Sequence, residues 1–143
     1  MIGKTMDQLK VGDTAEFAKT VTETDVYLYA GITGDLNPAH INAAYAAQTF
    51  FKTRIAHGML TGGFISAVIG TLLPGPGTIY LRQELNFLAP VRMGDTITAK
   101  VEVVEKIEEK NRLRLKTTCY NQEGTLVLDG EALVSPPKPR LKT

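Results

Sequence analysis

An α+β fold, in which an antiparallel sheet covers one apolar helix, is what this sequence predicts. Helical periodicity is confined to the first half of the chain and strand-like alternation to the second, with the boundary near Pro74. Such segregation favours α+β over repeated βαβ units. A third observation fixes the arrangement: "IAHGMLTGGFISAVIGTLLPGPG" is apolar on nearly every side, so it must be buried on most of its faces.

The elements follow in order. Asp13 to Val21 alternates Ala15, Phe17, Lys19 and Val21 and reads as an opening strand. Thr22 with Asp25 three positions on resembles a capping box, and Val26, Tyr29 and Ala30 share one face of the helix it starts. Gly31 and Gly34 should end that helix. Asn42 caps a short helix through "AAYAAQTFF", and the apolar helix then runs to the Pro and Gly breakers, with small residues on several faces that permit close backbone approach. Four strands are expected beyond it: Ile79 to Leu88, Thr96 to Lys106, Arg112 to Asn121 and Thr125 to Ser135. Ile97, Ala99, Val101 and Val103 share one face of the second, and Leu113, Leu115, Thr117 and Cys119 share one face of the third. "EEKN" and "NQEG" supply polar turns, so an antiparallel meander is expected, wrapped round the apolar helix. The tail "SPPKPRLKT", residues 135–143, reads as extended or frayed.

Composition narrows the function. The chain has 143 residues, enough for one domain with a core. A net charge of +1, from 16 Lys and Arg against 15 Asp and Glu, lacks the basic footprint that binding a nucleic acid requires. The greasy stretch from Met59 to Leu73 is interrupted by Gly, Ser and Thr and falls short of a membrane span. No secretory segment stands at the start. The single cysteine, Cys119, excludes an internal disulfide and reads as a buried, inert thiol, which fits a cytoplasmic protein.

One stretch carries chemistry that shape alone does not require. "TGDLNPAH" places Asp35, Asn37, Pro38 and His40 between two apolar segments. Asn37-Pro38 favours a turning backbone that can bring Asp35 and His40 to one point, as an acid–base dyad. The alternative is that Asp35 and Asn37 form Asx-turns or caps and that His40 merely borders the next helix. His57-Gly58 opens the apolar helix, where unpaired backbone N–H groups carry partial positive charge and can stabilise an oxygen that gains negative charge. Asp35, His40 and His57 also suggest a two-His, one-carboxylate metal site, but their spacing matches no ligand pattern, so no metal is expected. Ser66 has no nucleophile-elbow setting.

"YAGITGDLNPAHINAAYA", "IAHGML" and "NFLAPVRMGDTI" together resemble the MaoC-like dehydratases, in particular the R-specific (type 2) enoyl-CoA hydratases. The resemblance runs from about Gly12 to Ser135, with Ala39 standing where the family usually has a larger aliphatic residue. It implies a hot-dog fold, a homodimer or higher homo-oligomer, and no cofactor beyond the coenzyme A carried by the substrate. Residue by residue it implies a catalytic pair in Asp35 and His40 and an oxyanion-hole amide at Gly58. Supporting roles fall to Ser66, Asn37 and His57. The implied reaction is syn hydration of a trans-2-enoyl-CoA of short chain length to the (R)-3-hydroxyacyl-CoA, or the reverse dehydration. The setting would be fatty-acid or polyhydroxyalkanoate metabolism. Lys52, Arg54, Arg82 and Arg92 are candidates for the coenzyme A phosphates by charge alone and read more safely as surface residues. The rivals are a thioesterase on the same fold and a non-catalytic acyl-binding scaffold.

Overall fold

The computed structural model describes residues 1–139. Five strands form one antiparallel sheet: β1 (Thr14–Thr20), β2 (Ile79–Phe87), β3 (Thr96–Ile107), β4 (Arg112–Tyr120) and β5 (Leu126–Ser135), in the order β1-β3-β4-β5-β2. Four helices precede β2: α1 (Glu23–Thr33), α2 (Pro38–Ile41), α3 (Ala43–Ala47) and α4 (Gly58–Thr71). Helices come before the main run of strands, as their segregation along the chain predicts, and α4 packs on β3, β1 and β4.

The core faces expected for β3 and β4 are realised, although Thr118 on the other face of β4 is buried as well and β3 bulges after Val103. Ile97, Ala99, Val101 and Val103 are completely buried, and so are Leu113, Leu115, Thr117 and Cys119. From α4 these side chains meet Leu60, Thr61, Ile65, Val68 and Ile69. Burial of a single large apolar side chain such as Ile65 is worth about 1.5–3 kcal/mol, so each such contact along this seam favours wrapping the sheet round the helix.

The meander is only partial. β3, β4 and β5 follow one another as neighbours, but β2 pairs with β5 and not with β3, and β1 takes the place beside β3. β2, the strand that follows α4, occupies the edge opposite β1, so the meander reaches it only with its last strand. Two local expectations also shift. α1 runs through Gly31 and stops at Gly34, whose φ of 82° is the left-handed conformation that a helix C-terminus asks of glycine. The tail does bury something: Pro136 and Pro137 are buried, and Asn111 Nδ2 donates to Pro136 O at 2.9 Å, while residues 136–139 form no regular structure. The remaining four tail positions lie outside the described residues.

Thr22 caps α1 as predicted, its Oγ1 accepting from Asp25 N at 3.1 Å while Thr22 N donates to Asp25 Oδ2 at 3.0 Å. The small residues of α4 divide into two groups. A Cβ on Gly58 would lie 2.6 Å from the Phe87 ring, and one on Gly62 would lie 3.1 Å from Leu85, so both glycines admit β2 side chains. Gly63 and Gly70 face open space. Cys119 is fully buried, and burial pushes its thiol up to about 12, which leaves it unreactive. Among the described residues no helix is long and apolar enough to cross a membrane.

Gly130 lies opposite Leu85 in the β2–β5 ladder, and a Cβ there would overlap the backbone carbonyl of Glu84. Gly130→Ala must therefore open that pairing. We expect a loss of about 3 kcal/mol, the upper end of ordinary overpacking costs, read as a lower urea midpoint. An unchanged midpoint would mean that β2 and β5 do not approach this closely.

Candidate active site

Asp35 follows the left-handed turn at Gly34 and sits in the loop between α1 and α2. Its Oδ1 accepts from Asn37 N at 3.3 Å, and Asn37 Oδ1 accepts from Ala39 N at 3.0 Å, capping α2. Both Asx-type bonds anticipated for the loop are thus present. They do not compete with a chemical role, because they hold the Asp35 carboxyl at the mouth of a cavity with His40 turned towards it from the first turn of α2. Pro38 at the helix start fixes that turn.

His40 is buried, and its Nδ1 lies 2.7 Å from the carbonyl oxygen of Ile55. A carbonyl only accepts, so Nδ1 carries the hydrogen and donates it. Nε2 of the neutral ring is then left with its lone pair, available to take a proton.

His57 is the N-cap of α4, yet its side chain makes no capping bond. Its Nε2 lies 3.0 Å from the backbone carbonyl oxygen of Asp35 and donates to it. The ring stacks on His40 with centroids 3.9 Å apart and on Tyr29 with centroids 4.6 Å apart. Burial holds its pKa below the usual histidine range, and the neighbouring His40 adds to that, against the opposing pull of the Asp35 carbonyl. A neutral ring follows.

At the start of α4, Leu60 N bonds back to His57 O at 3.1 Å, while the amides of Gly58 and Met59 have no acceptor among the described residues. Gly58 opens onto the same cavity as Asp35, His40 and His57, and the helix dipole adds to the positive potential there. The cavity measures about 490 Å³, and its walls are chiefly apolar, including Phe51, Phe87, Val91, Val127 and Leu128.

One carboxylate oxygen of Asp35 and one ring nitrogen each of His40 and His57 lie within 4.8 Å of one another. The grouping that sequence spacing did not reveal is therefore real, brought about by the packing of α2 against the start of α4. As a metal set it is poor. His57 has its Nε2 committed to the Asp35 carbonyl and its Nδ1 buried, so only Asp35 and His40 offer free lone pairs to the cavity.

Ser66 is exposed on α4, two turns beyond Gly58, and does not line the cavity. Arg54 is engaged with Glu23 at 2.7 Å and Tyr27 at 2.9 Å, and Arg92 with Phe51 O at 2.8 Å, so both act as struts that brace the loop after α3. Lys52 and Arg82 are exposed, Lys52 beside the cavity residue Phe51. Two residues of the site went unnoticed in the sequence. Phe87 closes over Gly58, and Thr61 lines the cavity one turn further in. Only a polar residue four positions after His57 in an apolar helix could have signalled the second.

Residues 8–124 match the family model described as "MaoC like domain". The chain is 55% identical over 131 residues to an "(R)-specific enoyl-CoA hydratase" of Rhodospirillum rubrum, covering 92% of this chain and 90% of that protein. It is 54% identical over 132 residues to a "3-hydroxybutyryl-CoA dehydratase" of Methylorubrum extorquens, covering 92% of this chain and 83% of that protein. Among solved structures, the R-hydratase PhaJ1 from Pseudomonas aeruginosa superposes with a TM-score of 0.91 at 50% identity, covering 97% of this chain and 89% of that one. A sheet curved about one helix, a carboxylate and an imidazole at a helix N-terminus, and these likenesses agree: the chain belongs to the MaoC-like family of hot-dog dehydratases.

Proposed function

We propose that this protein is an R-specific enoyl-CoA hydratase and, in the reverse direction, a 3-hydroxyacyl-CoA dehydratase. One observation carries the reading: the Asp35 carboxyl and the His40 ring share a cavity with the unpaired Gly58 amide.

The steps follow from the donors and acceptors present. The thioester carbonyl accepts from Gly58 N–H, and as electron density moves to that oxygen the β-carbon becomes electrophilic. His40 Nε2, fixed as an acceptor by the bond from Nδ1 to Ile55 O, and the Asp35 carboxylate hold one water over the β-carbon. Asp35 accepts the water's proton as the C–O bond forms. It then gives a proton to the α-carbon from the same face, so the addition is syn. His40 orients the water and shares the transient charge. Each proton and charge is handled by these three groups, so the reaction as drawn calls on no metal or redox cofactor. Asn37 supports it by capping α2 and positioning the loop.

The apolar walls and a volume of about 490 Å³ support a small acyl group such as crotonyl, with the coenzyme A portion outside. Cys119, a free buried thiol, is in keeping with a reducing, cytoplasmic setting.

A homodimer is part of this reading. β2 is an edge strand, yet Ile79, Leu81 and Phe87 are 60%, 42% and 55% exposed, and Met59, which lines the cavity with Phe87, is 56% exposed. An uncovered apolar edge of this kind invites pairing with another copy. Ser66 lies on the same exposed side of α4, so its support for the site would come through that interface.

Three measurements check the reading. Asp35→Asn and His40→Ala should fold normally and lose at least about a hundredfold in hydration of crotonyl-CoA, followed by loss of the enoyl absorbance. Release of free thiol instead would identify a thioesterase, and tight binding without turnover a scaffold. Gly58→Ala should lower kcat by a similar factor, because its Cβ meets the Phe87 ring and displaces the amide from the carbonyl. Light scattering should give twice the chain mass of 15.6 kDa, and Leu81→Arg should halve it; a monomeric wild type would reject the dimer.

A further inference from the structure

Two buried polar atoms beneath the cavity have no partner among the described residues: His57 Nδ1 and Thr61 Oγ1. Both residues are 2% exposed. An orphaned pair of this kind is uncommon, since a buried polar group without a partner costs about 1–3 kcal/mol. The chemistry of the two atoms is complementary. Because His57 Nε2 donates to Asp35 O, Nδ1 of the neutral ring can only accept, and the Thr61 hydroxyl has a proton to give.

Position agrees with chemistry. Residues four apart stand one above the other on a helix, and His57 is the N-cap of α4 with Thr61 a turn later. A threonine inside a helix ordinarily bonds back to the carbonyl four residues earlier, yet Thr61 does not, although its own amide reaches His57 O at 3.5 Å. The Thr61 carbonyl is held separately, by Cys119 Sγ at 3.9 Å. The His57 ring also stacks on the Tyr29 and His40 rings, and neither donates to Nδ1.

We propose that one buried water bridges the two atoms, accepting from the Thr61 hydroxyl and donating to His57 Nδ1, and so completes a positioning chain from α4 to the Asp35 loop. The chain runs from Thr61 Oγ1–H to the water, from the water to His57 Nδ1, and from His57 Nε2–H to Asp35 O. Its effect is to lock the imidazole in the Nε2–H tautomer and in one ring orientation, and to hold the backbone that carries the Asp35 carboxylate. Thr61 and His57 are positioning residues; neither touches the reacting atoms. The inference deepens the hydratase reading and its kinetic part rests on it.

The test uses the full chain, with Thr61→Val, which removes the hydroxyl and keeps the shape, and Thr61→Ser, which keeps the hydroxyl. Nitrogen-15 spectra of the imidazoles at neutral pH should show His57 as Nε2–H in the wild type and in T61S, with the Nδ1 resonance displaced in T61V. For crotonyl-CoA, T61V should lose on the order of tenfold in kcat with KM within about twofold, and T61S should stay near wild type in both. A wild-type ring protonated at Nδ1, or an Nδ1 resonance in T61V that matches the wild type, overturns the hydrogen bond. A displaced resonance with unchanged kcat overturns the positioning role. If the wild type does not hydrate crotonyl-CoA the hydratase reading fails, and the nitrogen spectra still decide the hydrogen bond by themselves.

Discussion

Covering the apolar face of a five-stranded sheet with a single helix is the constraint from which the rest of this molecule follows. Thr61, Ile65 and Val68 must face β3 and β4, where Ile97, Val101 and Leu115 have no exposed surface. A helix pinned in that way has no freedom to slide or turn. Its first turn therefore stands at a fixed point, with the amides of Gly58 and Met59 unpaired at the cavity. An oxyanion site made from such amides owes its rigidity to the core and needs no side chain of its own.

Backbone carbonyls then determine what the two histidines can do. Ile55 O takes the hydrogen of His40 Nδ1, and Asp35 O takes that of His57 Nε2. The same residue type, 3.9 Å apart between ring centroids, is thereby split into two tasks. His40 keeps its basic nitrogen on the cavity, whereas His57 turns its donor towards the loop and is kept neutral by burial. Stacking two imidazoles would be costly if both were charged, so a neutral His57 suits the close packing of the two rings.

Which features were legible in the sequence follows from how local their causes are. The faces of β3 and β4, the capping box at Thr22 and the cap at Asn42 each depend on residues within a few positions, and all are found where they were expected. The Asp35 to His40 loop is legible for the same reason. The place of β2 beside β5 is not, because Leu85 meets Gly130 and nothing near either residue encodes the other. His57 joins the site through partners 22 and 17 positions away, so its spacing from them resembles no ligand pattern. Ser66 shows the opposite case. The resemblance places it near the site, while in a single chain it faces outward.

Phe87 links the edge of the sheet to the chemistry. Its ring occupies the space where any side chain at position 58 would begin, so this packing of ring on helix start requires glycine there. Yet Phe87 is 55% exposed and belongs to the edge strand, and a large ring in that position has little to hold it within one chain. A second copy seated on β2 would fix the ring, exclude water from the mouth of the cavity and strengthen the bond from Gly58 to the carbonyl by lowering the local dielectric. Association and catalysis would then share one cause, and the apolar edge that is a liability in a monomer would become a wall of the site.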